Sequence, residues 1–419
     1  MSDIIISGLD IGSSKISTLV AIKQQDSDDL KIIGFNSVSS KGVKKGLIVD
    51  IKEVTDSVEE SIEKAERMAG HRISNVFVSV GGPHISSLNS HGIVAIANSQ
   101  GEINEDDVDR VIEAARAISL STTRQIIEVN PRDFIVDGQS GIKNPVGMTG
   151  VRLEVDTHII TASSINLKNI ERVLNDLGLS NDGFIFSGLA SAEAVLTDTE
   201  KELGVVLVDI GGGKTDIAIF VDGALSYSSS IPIGAKHITN DIAVGLRVSL
   251  DSAEKIKLYL SKNLNSKKKI SQINFSSLNL PESITDISLP TLIDGIIAAR
   301  LEEIYKMIFE EIEKSGFAQN IPAGLVITGG GALTINMIEI GKKIIGLPIR
   351  LGIPDKLSGL VDEINDPQYA TTVGLLLCGF KNIINKKNSS FKDFGSILKG
   401  FSFGEVTEKI KNFFKQFIP

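Results

Sequence analysis

The sequence predicts an α/β protein built as two similar lobes around a shared cleft, and two observations predict it. The stretch "LDIGSSKIS" at 9–17 returns as "VDIGGGKTD" at 208–216, with Asp-Ile-Gly-x-x-Lys common to both. Each copy closes one apolar run and opens another, so each reads as strand, glycine turn, strand, and two such units suggest duplicated β-sheet cores. Around both copies, apolar runs of strand length alternate with helical patterns, which favours sheets covered by helices.

In chain order, "IIISGLDIG" is a buried strand entering a glycine turn and "KISTLVAIK" is its returning partner. "EVTDSVEESIEKAERMAG" places Val54, Val58, Ile62 and Ala65 on one helical face and stops at Gly70. "NVFVSVGG" alternates as a strand does, and "NEDDVDRVIEAARAI" is a helix with Asn104 as its cap and acids in its first turn. "RQIIEVNPRDFIV" and "VRLEVDTHIITAS" are strands around the loop "GIKNPVGMTG", and "NLKNIERVLNDLG" is a capped helix ending at Gly178. The second half repeats the theme with strands "GVVLVDI", "TDIAIFVDG" and "LSYSSSI", then helices near 235–245 and 251–261. "SKNLNSKKKISQINFSSLN" reads as loop or short strands, and "TLIDGIIAARLEEIYKMIFEEIEKSG" as a long helix mildly interrupted at Gly295. "AGLVITGGGAL" is strand, glycine turn, helix, and "PQYATTVGLLLCGFKNI" is a late helix. The Ser-, Lys- and Gly-rich stretch 385–404 reads as a linker.

At 419 residues and 42% apolar content, the chain suits two to four domains with ample cores. A lone cysteine, Cys378, forms no internal disulfide and fits a reducing compartment; inside an apolar helix it reads as core. "MSDIIISGLD" is short and carries Asp3, so it reads as neither signal peptide nor membrane span. A net charge of −9 argues against a general nucleic-acid binder, which needs a basic face. The balance reverses from Lys386 to Pro419, where seven Lys stand against three acids. The five His (71, 84, 91, 158, 237) include no i, i+4 pair, so no metal site is expected from them. There is no Gly-x-Ser-x-Gly elbow for a serine nucleophile.

The letters GKT at 213–215 invite a P-loop reading, but that loop needs a glycine where Val208 stands and a helix where "TDIAIFV" stands. A hairpin turn whose glycine N–H groups face phosphate oxygens fits instead, because glycine lets the backbone approach a bulky anion. Asp10 and Asp209 then end two strands at the cleft, where carboxylates near a triphosphate act mainly through Mg²⁺ and its waters. An ordinary tight hairpin explains one copy; two Asp-led copies and the third cluster, "VITGGGALT" at 326–334, favour a nucleotide. In that third cluster the glycines leave room for an adenosine, with helix N–H groups nearby. Glu254 and Lys257, i and i+3 on one helical face, either meet the ribose or base or form a solvated ion pair. Lys214 either adds positive charge at the phosphates or points into solvent.

The order DIGSSK, FSGLASAEAVL, DIGGGKTD, TGGGA resembles that of the actin, Hsp70 and sugar-kinase superfamily. Within it, "KGVKKGLIVDI" (41–51), "GIKNPVGMTGVRL" (141–153), "GLASAEAVL" (188–196) and "ELGVVLVDIGGGKTDIAIF" (202–220) are similar to the bacterial cell-division family FtsA, over nearly the whole chain. The resemblance implies an actin-like two-lobed ATPase fold with ATP and Mg²⁺ in the cleft. It implies subdomain 1A over 1–82, 165–197 and 360–384, an inserted FtsA-type subdomain 1C over 83–164 in place of actin's 1B, 2A over 198–240 and 305–359, and 2B over 241–304. By position, Gly12, Ser13, Ser14 and Lys15 form one phosphate loop and Gly211, Gly212, Gly213 and Lys214 the other. Thr215, Gly234, Glu254, Lys257, Gly329, Gly330, Gly331 and Ala332 complete the nucleotide site. Asp10 and Asp209 are the implied Mg²⁺ or water-positioning groups. The family's members polymerise, bind FtsZ, tether it to the cytoplasmic face of the inner membrane at the division site, and recruit later division proteins. Lys214 departs from the Thr or Met common in relatives. Gly188 aligns nearest to the position where filament-forming relatives carry a catalytic Glu or Gln. Without a positioned general base, slow or negligible ATP hydrolysis is expected, with nucleotide acting as a conformational ligand. The alternatives are a small-molecule kinase of the same fold, an Hsp70-like chaperone, for which no length remains for a peptide-binding domain, and another membrane-linked actin homologue.

In "GEVTEKIKNFFKQFIP" (404–419), Val406, Ile410, Phe413, Phe414 and Phe417 share one helical face flanked by Lys409, Lys411, Lys415 and Gln416. Basic flanks and a strongly sided apolar face describe an amphipathic helix over 405–419 lying in a bilayer surface. Each buried Phe or Ile contributes up to about 1.5–3 kcal/mol before ordering costs, and each Lys about 1 kcal/mol against anionic lipid. The other reading is a helix docked on its own domain.

Overall fold

The computed structural model describes residues 3–23, 30–264, 278–282, 288–360 and 362–384. The linker 385–404, the tail helix with Val406, Lys409, Ile410, Phe413, Phe414, Lys415 and Phe417, and most of the polar stretch after residue 264 lie outside the described residues.

Two sheets repeat one plan. In the first lobe Leu30–Ser39, Lys15–Lys23 and Ile4–Ile11 form an antiparallel meander, extended in parallel by Asn75–Val80 and Ser180–Phe186. In the second, Ala224–Ile231, Thr215–Val221 and Val205–Ile210 form the same meander, extended in parallel by Leu325–Thr328 and Ile349–Leu351. A short pair, Ser358–Gly359 on Leu30–Ser39, adds to the first sheet. Strand Val205–Ile210 shows why these sequences are apolar throughout. Val205 and Leu207 join one core, while Val206, Val208 and Ile210 join the other, so both faces of the pleat are buried. Asp209 falls on the face of Val205 and Leu207, where the lobes meet.

The helices follow their local signals. Ile51–Ala69 is capped by the Asp50 side chain, which accepts from Glu53 N–H, and stops at left-handed Gly70 (φ 67°). Glu105–Arg116 carries the Asn104–Asp107 capping box. The helix assigned to "NLKNIERVLNDLG" starts earlier, at Ser164, directly off a strand and with no side-chain cap bond. The long helix is π-helical from Thr291 to Ile297, around Gly295, and α-helical only from Ala298 to Ser315. Strand Leu325–Thr328 leads into a 3₁₀ turn, Gly330–Leu333, and the α-helix begins only at Met337. The sequence expectation of a helix starting at the glycines is corrected here: Gly329 (φ 83°) and left-handed Asn336 (φ 62°) bend the chain before the helix can begin.

Between residues 82 and 164 a separate four-stranded sheet, in the order Ser86–Ala95, Arg152–Ser163, Arg124–Val136, Gln139–Ile142, packs helix Glu105–Arg116 over its own small core of Ile103, Val111, Phe134 and Leu153. The lobes are joined by helix Ser187–Val195 and by helix 370–384, which carries buried Cys378. Where these two cross, a Cβ on Gly374 would lie 1.7 Å from the carbonyl oxygen of Ala190, so only glycine permits the contact.

Candidate functional site

The two Asp-led hairpins superpose in their hydrogen bonding. Gly12 N–H donates to the Lys15 carbonyl at 3.0 Å, and Gly211 N–H donates to the Lys214 carbonyl at 3.0 Å. The turns face each other across the cleft: a Cβ on Gly212 would lie 1.9 Å from Ser14 Oγ, and one on Gly213 2.9 Å from Ser13 Oγ. Helix Ala235–Leu246 supports the second turn from behind, Ala235 and Lys236 N–H donating to the Gly211 and Gly212 carbonyls at 2.9 and 2.8 Å. Gly234 is required there, since its Cβ would sit 2.5 Å from Gly211 O. Lys236 Nζ crosses to the first turn and donates to Ser13 O at 2.6 Å.

Asp10 accepts from Ser79 Oγ at 2.6 Å, and burial pushes its carboxyl above the usual carboxylate range against the pull of Ser79, Lys214 and Lys15. Asp209 accepts from Ser191 Oγ at 2.5 Å and Thr371 Oγ1 at 2.8 Å, the latter two from the helices that join the lobes. Thr215 is buried with its hydroxyl donated to Ile233 O at 2.8 Å, which turns it away from the loop. Gly329 lies against Asp209 and Gly331 against Ile210, with would-be Cβ contacts of 2.2 and 2.5 Å, whereas Gly330 has nothing closer than 3.6 Å and leaves an open face beside Ala332.

Lys15 and Lys214 differ. The Lys15 amine is buried, has no hydrogen-bond partner, and stands 3.5 Å over the Tyr369 ring. Burial pushes its pKa down to about 7, with Asp10, Asp366 and Asp209 resisting. The Lys214 amine forms an ion pair with Asp216 and donates to Ser187 Oγ at 2.9 Å. The sequence left solvent as one destination for Lys214; the structure overturns that, because the opposing Asp216 draws the chain inward to 14% side-chain exposure. The solvated alternative for Glu254 and Lys257 is corrected likewise. They pair at 2.8 Å, but Lys257 is buried and also donates to Thr239 Oγ1 at 2.9 Å and Ala235 O at 3.3 Å, under the helix that supports the second turn.

Ser187, not Gly188, is the residue at the head of its helix that faces the site. Ser187, Gly46, Ser79, Gly81 and Lys214 bound a small cavity beside the turns. Gly188 instead lies against the Phe186 ring. Sequence reasoning also passed over the hairpin Val43–Ile48, whose Gly46 N–H donates to Ser13 Oγ at 2.9 Å. The motif "KGVKKGLIVDI" was its signal.

Among the described residues no cluster of three metal-ligating side chains exists. The site does fit a polyanion: an unpartnered buried amine and two glycine turns converge, and Asp10 and Asp209 stand at their strand ends. Such a site suits Mg²⁺ held through phosphate and water rather than by a protein cage.

Against known proteins, the chain is 40% identical over 381 residues to the cell division protein FtsA of Pseudomonas aeruginosa, covering 90% of this chain and 89% of the relative. The chain belongs to the FtsA family of cell-division proteins. Two family models agree, the SHS2 domain inserted in FtsA over residues 82–161 and cell division protein FtsA over 206–374. FtsA of Borreliella burgdorferi is 38% identical over 99% of both chains, and that of Escherichia coli K12 34% over 91% of both. Among solved structures, the PilM-PilN type IV pilus biogenesis complex aligns with a TM-score of 0.63 at 14% identity, covering 89% of this chain and 98% of that one. MreB5 of Spiroplasma citri bound to ADP aligns at 0.52 and 15%, covering 93% and 98%. These likenesses show the actin-like fold, as the sequence predicted, and the SHS2 match places the FtsA insert in the sheet between residues 82 and 164. Among the described residues no helix is long and apolar enough to cross a membrane.

Proposed function

We propose that this FtsA-family chain binds ATP with Mg²⁺ between its two glycine turns and acts as an assembling adaptor. In this reading it polymerises, holds FtsZ filaments to the cytoplasmic face of the inner membrane through residues 405–419, and recruits later division proteins. The observation that carries the nucleotide part is the Lys15 amine, buried without a hydrogen-bond partner over the Tyr369 ring and in the field of Asp10 and Asp209, the residues that lead the two opposed glycine turns. A buried cation without hydrogen bonds is costly, and an anion beside it lowers the cost. When bound, the triphosphate supplies a polyanion that both lobes contact. The backbone N–H groups of 13–14 and 212–213 orient it, Lys15 and Lys236 neutralise it, and Asp10 and Asp209 face the cation's waters. Gly330 and Ala332, with the Glu254–Lys257 pair, line the nucleoside side. Hydrolysis is slow in this reading, because the cavity beside the turns presents Ser187 and a paired Lys214 and no free base. The subdomain boundaries implied by the sequence belong to the same proposal.

Two measurements test it. Titration with a fluorescent ATP analogue should show Mg²⁺-dependent binding that weakens at least about tenfold in Lys15→Met, the loss expected for one charge-assisted contact. Co-sedimentation with anionic liposomes should require residues 405–419 and strengthen with ATP, as assembly multiplies weak tails. Binding that survives deletion of the tail removes the membrane tether, and absence of nucleotide binding removes the cleft reading.

A further inference from the structure

The insert is held by the second lobe as well as by the lobe that carries it. Ser228 and Ser230 share one face of strand Ala224–Ile231, and Ser226 joins them from the bulge where the register shifts beside Phe220. Arg132 Nε donates to Ser226 Oγ at 3.1 Å, Ser87 Oγ donates to Ser228 O at 2.7 Å, and Gly82 N–H donates to Ser230 Oγ at 3.0 Å. His158, 1% exposed, bonds Ser228 Oγ through Nε2 at 3.0 Å and Asn89 Oδ1 through Nδ1 at 2.7 Å. Asn89 Oδ1 only accepts, so Nδ1 carries the proton and Nε2 takes the serine's.

This serine row is wired to the phosphate turn. Ser230 stands directly opposite Asp216 in the hairpin register, and Asp216 is the partner of Lys214. The Lys214 amine also presses on the chain that enters the insert, for a Cβ on Gly81 would lie 2.1 Å from Nζ. Gly81 lies against the Lys214 amine and Gly82 bonds Ser230, on either side of Asp216, whose Oδ1 is buried without a hydrogen-bond partner.

We propose that Lys214 is a positioning residue that makes the insert sense anion binding in the 211–214 turn, by way of Asp216, Ser230 and Gly82. An anion in the turn competes with Asp216 for the amine. Asp216, left with less positive charge beside it, draws on the Ser230 hydroxyl, and Ser230 is the group that fixes Gly82. The groups are adjacent, and the unpartnered Asp216 Oδ1 faces the strand of Ser230, so a shift of the amine has a neighbour to act on. The inference rests on the nucleotide reading of the cleft.

Hydrogen exchange on the full chain, with and without saturating Mg-ATP, tests it after ATP binding has been measured separately. In the wild type, ATP should change exchange about fivefold or more in peptides covering 82–95 and 224–231. Ser230→Ala, which removes one hydroxyl outside the turns, should keep the ATP-induced change around 205–216 and lose it at 82–95. Lys214→Arg, retaining the cation, should preserve more of the response than Lys214→Met. A wild type that binds ATP without any change at 82–95, or a Ser230→Ala variant with the full response, overturns the relay and leaves the nucleotide site standing. A wild type that binds no ATP overturns both.

Discussion

The two glycine turns share a backbone and not a chemistry. Asp10 pairs across its hairpin with Ser17, and Asp209 pairs with Asp216. Ser17 hydrogen-bonds Ser37 at 3.1 Å, so the first turn offers its lysine no carboxylate on the returning strand. Asp216 captures the lysine of the second. One substitution on the returning strand thus separates a lysine held in reserve from a lysine already committed. In the proposed nucleotide site the duplicated backbone would set where the anion sits, and the residue two positions beyond the lysine whether that lysine is free to meet it.

The comparison breaks most readily at Lys214. Lys214→Met leaves Asp216, 2% exposed, as a buried carboxylate without its cation, and should cost about 3 kcal/mol in urea unfolding. Adding Asp216→Asn should recover most of that loss, and a double variant as unstable as the single one would show that the pair is incidental. A smaller effect separates the turns themselves. A Cβ on Gly12 would meet Lys15 O at 2.7 Å, while one on Gly211 would meet Lys214 O at 3.2 Å. Thermal melts should show Gly12→Ala losing about 1–2 kcal/mol and Gly211→Ala no more than about 0.5 kcal/mol; equal losses would mean that the turns are equivalent in strain too.

A separate effect, set by pH, belongs to Lys15. Its folded pKa of about 7 lies below the ordinary lysine value of 10.5, so between them the unfolded chain binds more protons than the folded one. Wild-type stability therefore rises with pH across that window, and the cost of burying the charge is fully present below pH 7. Lys15→Met should be at least as stable as wild type at pH 6, and its advantage should shrink toward pH 10. A gap between the two proteins that stays constant with pH would contradict a desolvated amine.

Features set by neighbours in sequence were legible. Gly70 as a stop and Asn104 as a cap follow from the local letters, and so does the echo of Asp-Ile-Gly-x-x-Lys, down to matching hydrogen bonds. Strands Leu30–Ser39, Ser86–Ala95 and Ser180–Phe186 were not read. "SSLNSHGIVA" has little apolar alternation and is a strand because Arg152–Ser163, far along the chain, pairs with it in register. In the site, the glycines were legible because close approach demands them. The fate of Lys214 was only half legible: Asp216 stands two residues on, but the Ser187 hydroxyl that also holds the amine is brought in by another element. Ser187 itself hid in a run of small residues, where only the helix start decides which one faces the cleft.

The crossing of Gly374 over Ala190 has a mechanical consequence. The two helices meet there backbone to backbone, with no side chain of Gly374 between them, so any rotation of one lobe on the other would have its fulcrum at this point. The carboxylate of Asp209 is bonded by one residue from each helix, Ser191 and Thr371. Its position near the fulcrum means that a small angle there leaves Asp209 almost still. The same angle would become a larger sweep at the far edges of the lobes, by simple leverage.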